Sequence, residues 1–417
     1  MKDGTTLCSA NLTMRQTLAT FPRNVSILLF FTLLTRISYF MAWPFLSIIL
    51  TRTYQLTPIA IGCLMSGCAL ISVILGIYGG SLSDRLGRKA LLVLGCLLAI
   101  IGYSAIALAY NEFIFAFGLL LTGISFSWID APSRALMSDL LQDKKRRELA
   151  LQIRYFAVNI AAVSGPLIGI TFGLNSQKST FLLTALSYLP FLFFSIWYIP
   201  TSSSFHHTSP EESNSNKIST WKILMVIIQD KIYMTVLTSS IICYLVYAQI
   251  ESIVPQYLLI LDASHAVDIV TAILVTNAVT VLVAQLYLVP FFINTSLEKR
   301  VIIGALILAL SQILFWGNDT ANILWWGGCT IIFSVAEAIL LPNLSILLDR
   351  LALERYRGAY LGASTLVVLG LSLGPFVGGT LLEWLGKGVF VIMALLCMSI
   401  VVLMLINKKK LKIRLDE

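Results

Sequence analysis

Two uninterrupted apolar runs, Ile59–Gly79 and Ala90–Ala109, are separated by only ten residues, Gly80 to Lys89. About 20 apolar residues in a row is the length that crosses the hydrocarbon core of a bilayer. Inside a bilayer every backbone polar group must be bonded internally, so only helices and closed barrels span it. The runs lack the apolar–polar alternation of barrel strands, which leaves helices. The same pattern predicts spans near 25–50, 58–80, 90–110, 113–135, 150–173, 180–199, 232–260, 267–292, 300–317, 322–346, 358–385 and 387–406. The chain is 58% hydrophobic and 12% charged, where a soluble protein carries about 25% charge. It reads as an all-α membrane protein with twelve transmembrane helices.

The net charge of +8 is distributed rather than pooled, which argues against nucleic acid as a partner. Basic residues crowd alternate loops: Arg85, Arg88 and Lys89; Lys144 to Arg147; Lys217 and Lys222; Lys299 and Arg300; Arg350, Arg355 and Arg357; Lys408 to Arg414. The loops between hold only Arg52, Lys178 and Lys387. The positive-inside rule then places both termini in the cytoplasm, a parity that twelve spans satisfy. Residues 1–24 form a polar tail without a cleavable apolar region, so the first span is the expected insertion signal. Two six-helix bundles are expected, 25–200 and 231–406, joined by a polar linker at 201–230 and followed by a basic tail at 407–417. Thr201–Thr220 has too little apolar surface to bury, so it reads as a flexible linker. A short interfacial helix is expected at Trp221–Gln229. The seven cysteines sit mostly inside apolar runs, without metal-ligand spacing, and read as small core residues.

The halves repeat. Pro132, Asp139, Arg147 and Gly165-Pro166 recur as Pro342, Asp349, Arg357 and Gly374-Pro375. Gly80-Ser-Leu-Ser-Asp84-Arg85-Leu-Gly87-Arg88-Lys89, between the second and third spans, resembles the loop signature of the major facilitator superfamily. Ala42-Trp-Pro-Phe-Leu-Ser-Ile, Ile129-Asp-Ala-Pro-Ser-Arg-Ala-Leu, Gln229-Asp-Lys and Arg357-Gly-Ala-Tyr-Leu-Gly resemble its drug:proton antiporters, in the MdtH- and YdeE-like efflux branch. The resemblance covers nearly the whole chain outside the tails and linker. It implies two six-helix pseudo-repeats with the substrate site between them, and transport by one half rocking against the other. It also implies a cytoplasmic gate at Gly80, Asp84, Arg85, Gly87, Arg88 and Asp139, in which Asp84 meets the start of span eleven and Arg88 links to Asp139. Gly165, Pro166 and Gly169 in span five, and Gly370, Gly374, Pro375 and Gly378 in span eleven, resemble the glycine–proline signature of antiporters. Small residues there let helices approach closely. Span four departs from the family: Leu119 stands where an arginine is usual.

Charges inside a span each need a reason, because a mid-membrane charge costs about 2.5–3.5 kcal/mol on insertion scales. Arg36 lies roughly 16 Å into span one at 1.5 Å per residue; a substrate or coupling role and a buried structural pair are its two readings. Asp130 and Arg134, four apart on span four, share a face and read as a local ion pair. Arg154, near one end of span five, faces either Asp139 or substrate. Glu337 in span ten is the first choice for a protonatable carboxylate, and Glu251 in span seven reads as a gate or outer-vestibule residue. Asn159, Tyr39 and Trp43 complete the candidate pathway, and Trp128, Tyr155, Tyr244 and Tyr247 are further aromatics for a cavity wall.

These features predict a monomeric secondary transporter in the bacterial cytoplasmic membrane, surrounded by lipid. It would export a small organic molecule in exchange for protons: a drug-like compound, or an anionic metabolite such as a carboxylate siderophore. No phosphate loop and no metal cluster is present in the sequence, so a proton gradient rather than a cofactor is the expected energy source. Import by proton symport and a non-transporting receptor on the same fold are the alternatives. A membrane enzyme would need a nucleophile, metal or acid–base cluster near water, and none stands out.

Overall fold

The computed structural model describes residues 21–141, 143–172, 177–199, 220–262, 264–288, 295–353 and 356–416. Twelve of its helices are long and apolar enough to cross a membrane, and the described residues contain no strand. They are Arg23–Tyr54, Pro58–Gly76, Arg88–Leu108, Glu112–Leu140, Leu149–Thr171, Ser179–Trp197, Lys231–Leu261, Ala266–Tyr287, Leu297–Trp316, Ile323–Arg350, Ala359–Leu385 and Gly388–Arg414, numbered here as spans one to twelve.

Several helices outrun their apolar stretches. The helix of span two continues to Leu86, span four reaches Leu140, span ten reaches Arg350, and the last helix runs to Asp416 through the basic residues read as a tail. The backbone ladder propagates once formed and does not need an apolar side chain at each step. The ten-residue hinge between spans two and three therefore shrinks to Gly87 alone, at φ 85°. A positive φ is accessible there because glycine has no Cβ. Gly80 lies inside the helix Pro58–Leu86. The turn after span one uses Gln55 at φ 54°, whose N–H closes on Leu50 and Thr51 carbonyls. Asn111, Asp230 and Asn322 cap the starts of spans four, seven and ten with their side chains.

Spans one and seven break at matching places. Trp43-Pro44-Phe45 forms a 3-10 turn between helices Arg23–Ala42 and Leu46–Tyr54. Pro255 opens Val254–Leu261 after the short turn Gln249–Ser252. Proline has no N–H to give to the ladder, which interrupts both helices.

Two apolar cores result. One is built from residues between Phe21 and Ile199, the other from Ile227 to Leu411 together with Phe45 and Ile48 of span one. Span two packs on span eleven and span five on span eight, so the two groups of six meet along both seams. The contact of spans two and eleven lies at the end opposite the termini. A Cβ on Gly62 would meet the backbone of Pro375 and Phe376. Pro375 interrupts the ladder of span eleven, and the Phe376 N–H donates to Ser66 Oγ at 2.9 Å. The Ile59 N–H donates to Glu383 Oε2 at 3.1 Å. Residues 201–219 of the linker lie outside the described residues, and Thr220–Gln229 is helical.

Candidate functional site

The glycines of the two resembling motifs explain how the charged residues come together. Gly370, Gly374 and Gly378, one helical turn apart on span eleven, face Ile241, Leu245, Ala248, Gln249 and Ile253 of span seven. Gln249 Nε2 donates to the Gly374 carbonyl at 3.1 Å and to that of Leu245 at 2.7 Å. Gly165 of span five packs in the same way on Ile37, Phe40 and Met41 of span one. Pro166 lies inside that helix and Gly169 is buried on it. With spans one and five this close, Arg36 and Arg154 reach one carboxylate.

That carboxylate is Asp130. Its Oδ1 accepts from Arg36 Nη2 at 2.8 Å and from Arg154 Nη2, and its Oδ2 pairs with Arg134 Nη2 at 3.1 Å. The Asp130–Arg134 pair is the local one expected on span four. Arg154 does not meet Asp139, as one reading had it; Asp139 pairs with Arg88, as the gate resemblance implied. The physical reason is position: Asp139 lies nine residues beyond Asp130 and opposite the start of span three. Side chains of Arg36, Asp130 and Arg154 are only 12–15% exposed, so their charges meet in a poorly hydrated place. They line a small pocket with Ser133, Phe126, Tyr188 and Phe191. The Arg36 guanidinium lies 4.1 Å from the Phe126 ring centre. Tyr39 is 6.0 Å from the same guanidinium and stacks on Trp43 at 5.2 Å.

The second half presents carboxylates instead. Glu337 Oε2 accepts from Asn277 Nδ2 at 2.7 Å, and the same amide donates to Ser334 Oγ at 2.9 Å. Tyr247 is a neighbour of Glu337 and stacks at 6.1 Å on Phe333. Glu251 is half-buried in the turn Gln249–Ser252 and interacts electrostatically with Glu337 and with Tyr39 across the seam. Asn277 and Ser133 were absent from the sequence-level candidates. An amide in the middle of a mostly apolar span was the available signal for Asn277; a serine carries no such signal. Asn159 lies half-buried on span five. The Trp128 indole N–H donates to the Leu75 carbonyl at 3.2 Å, so its polar atom is engaged by backbone rather than offered to a cavity. Of the gate residues, Gly80, Asp84 and Arg85 have helical backbones, and their side chains lie outside the described ones, as does that of Tyr155.

Twelve spans in two pseudo-repeated groups, with an arginine–aspartate cluster in the first and carboxylates in the second, define a secondary transporter of small molecules embedded in a membrane, not an enzyme. The chain belongs to the major facilitator superfamily, whose family model matches residues 28–368. It is 27% identical over 86% of its length to the MFS-type transporter YqjV of Bacillus subtilis (strain 168), covering 86% of that protein. It is 28% identical to the MFS-type transporter YdeE of Escherichia coli (strain K12), covering 92% of this chain and 95% of that one. Multidrug resistance protein MdtH of Klebsiella pneumoniae subsp. pneumoniae is 25% identical, with 86% of each chain covered. The fold is shared with a crystal structure of a peptide transporter, POT, in complex with sulfate: TM-score 0.75, 15% identity, 96% of this chain and 99% of that one. Nucleoside transporter NupG shares it too, with TM-score 0.73, 13% identity and coverage of 92% and 99%.

Proposed function

We propose that this protein exports a small organic molecule across the bacterial cytoplasmic membrane in exchange for protons, with both termini cytoplasmic. The observation that carries the reading is Glu337, a carboxylate inside span ten held at 2.7 Å by Asn277, in the half opposite the Asp130 cluster. An ionised carboxylate inside a span is costly, which suits a group that carries a proton there. The name of MdtH supports the outward direction, and the loop charges support the orientation. With the termini inside, the joined ends of spans two and eleven face outward, so this conformation is closed to the outside. Asp84, Arg85 and the Arg88–Asp139 pair then act as the gate on the cytoplasmic side, and the halves rock between the two closures. The proton gradient is the only energy source required, the protein works as a monomer in lipid, and no cofactor enters.

The test is flux in proteoliposomes of known orientation under an imposed pH gradient, with drug susceptibility and spent-medium profiling of a deletion strain in parallel. Export predicts a compound lost from the medium and retained in the mutant cells. Proton-driven uptake instead would turn the direction around and make the protein a symporter. Binding without flux under any gradient would make it a receptor.

A further inference from the structure

We propose that Asp130 is a resident stand-in for an acid group on the transported molecule, and that the pocket over Arg36 and Arg154 is a seat for an organic anion. The inference rests on the transport reading above and names the substrate class of its first-half site.

The donors there outnumber the acceptors. Each guanidinium carries five N–H groups, and three guanidiniums share the two oxygens of Asp130. Among the described residues Asp130 is the one carboxylate that any of the three meets; Arg134 is 54% exposed, so the buried part of the cluster, Arg36, Arg154 and Asp130, is formally one charge positive. An excess of buried positive charge is costly unless something supplies the counter-charge. Two further polar atoms at the same place have no partner: Arg154 Nε and Ser133 Oγ, the serine being 3% exposed. Both residues line the same small pocket.

The pairing also allows exchange. Arg36 and Arg154 both hold Oδ1, while Arg134, one turn away on the same helix, holds Oδ2. An incoming carboxylate or phosphonate can take the place of Oδ1 between spans one and five. Asp130 then keeps Arg134, so no buried charge is stranded. The incoming group gains charge-assisted hydrogen bonds, which are the strong ones. Phe126, Ile129, Tyr188 and Phe191 form most of the remaining wall, and the Thr32 and Thr35 hydroxyls beside them are spent on backbone carbonyls, which suits an apolar or aromatic body behind the acid. A cluster that served only to brace spans one, four and five would be indifferent to the charge of the ligand.

The experiment is thermal unfolding of the solubilised full-length protein with four matched probes: benzoate, benzylphosphonate, benzamide and benzylammonium. A ligand that binds only the folded state raises the midpoint. The two anions should raise it, and the neutral and cationic probes should not at the same concentration. Arg154→Gln and Arg36→Gln should weaken anion binding by about tenfold or more, and Asp130→Asn should tighten it by about tenfold. Equal response to benzamide and benzoate overturns the seat, as does an Asp130→Asn protein that binds anions no tighter than wild type. If an arginine variant does not fold, the four-probe comparison on wild type and Asp130→Asn decides alone. Ethidium and radiolabelled benzoate flux in proteoliposomes separates the two readings. Gradient-driven ethidium movement without anion binding removes the seat and keeps the transporter. Selective anion binding without any flux keeps the seat and removes proton-coupled transport.

Discussion

Glu337 and Asp130 are both carboxylates inside spans, yet their surroundings assign them opposite behaviour. Asp130 is met by three guanidiniums, whereas Glu337 accepts from the Asn277 amide and, among the described residues, forms no ion pair. Glu337→Gln keeps the hydrogen-bonding shape beside Asn277 and removes the titration. We expect its flux to lose its dependence on pH while the protein still reaches the membrane. An unchanged pH–rate profile would move the proton site to another carboxylate, Glu251 first. Outside the spans, Asp230 shows how a single side chain joins distant parts. Burial alone would raise its carboxyl, but hydrogen bonds from Arg414, the Tyr233 N–H and the Tyr360 hydroxyl outweigh it and hold the group below the usual aspartate range. Arg414 grips both carboxylate oxygens at 2.7 Å. A lowered folded-state value means stability present above the unfolded value and lost as pH falls through the folded one. Asp230→Asn should therefore cost about 1.5–3 kcal/mol at neutral pH. The difference from wild type in thermal midpoint should shrink once pH drops below about 4. A gap that stays constant down to strongly acid pH would show that the charge of Asp230 does not contribute.

At the scale of elements, the glycine face of span eleven sets how near span seven can lie. A Cβ on Gly370 would meet the Ile241 carbonyl, which is backbone and cannot rotate away. Overpacking of this kind costs typically 1–3 kcal/mol. Gly370→Ala should lower the thermal midpoint, whereas Gly327→Ala, where a Cβ would meet nothing within 4 Å, should not. Equal midpoints for the two variants would mean that close approach of spans seven and eleven is not what the motif secures. The same glycine–proline stretch has a second face, because Gly379 lies against the Pro58 carbonyl of span two. One helix thus packs within its own half and across the seam.

At the scale of the whole molecule, the seam is the moving part if the halves rock. The bonds Ile59 N–H to Glu383 and Phe376 N–H to Ser66 close the end away from the termini, and both must break for that end to open. In a background with native cysteines replaced, a disulfide between Ile59→Cys and Glu383→Cys should stop flux, and a thiol reductant should restore it. Undiminished flux in the bridged protein would show that transport does not require this end to part. The break in span one at Pro44 places Phe45 and Ile48 in the core of the other half, so the seam also shares apolar packing.

Twelve spans, their all-helical nature, the two-fold repeat and the positions of the buried charges were legible in the sequence, because bilayer insertion is a local property of about 20 residues at a time. The Asp130–Arg134 pair was legible for the same reason, being four residues apart on one helix. Which arginine from another span joins it was not: Arg36 is 94 residues from Asp130 and Arg154 is 24, and only the close packing of spans one and five at Gly165 brings them together. Helix ends and the collapse of the charged hinge to Gly87 were hidden because the backbone ladder ignores the hydropathy that marks the spans. Asn277 beside Glu337, and Gln249 bridging to Gly374, were decided by tertiary structure alone, since a partner across helices has no fixed spacing in the chain.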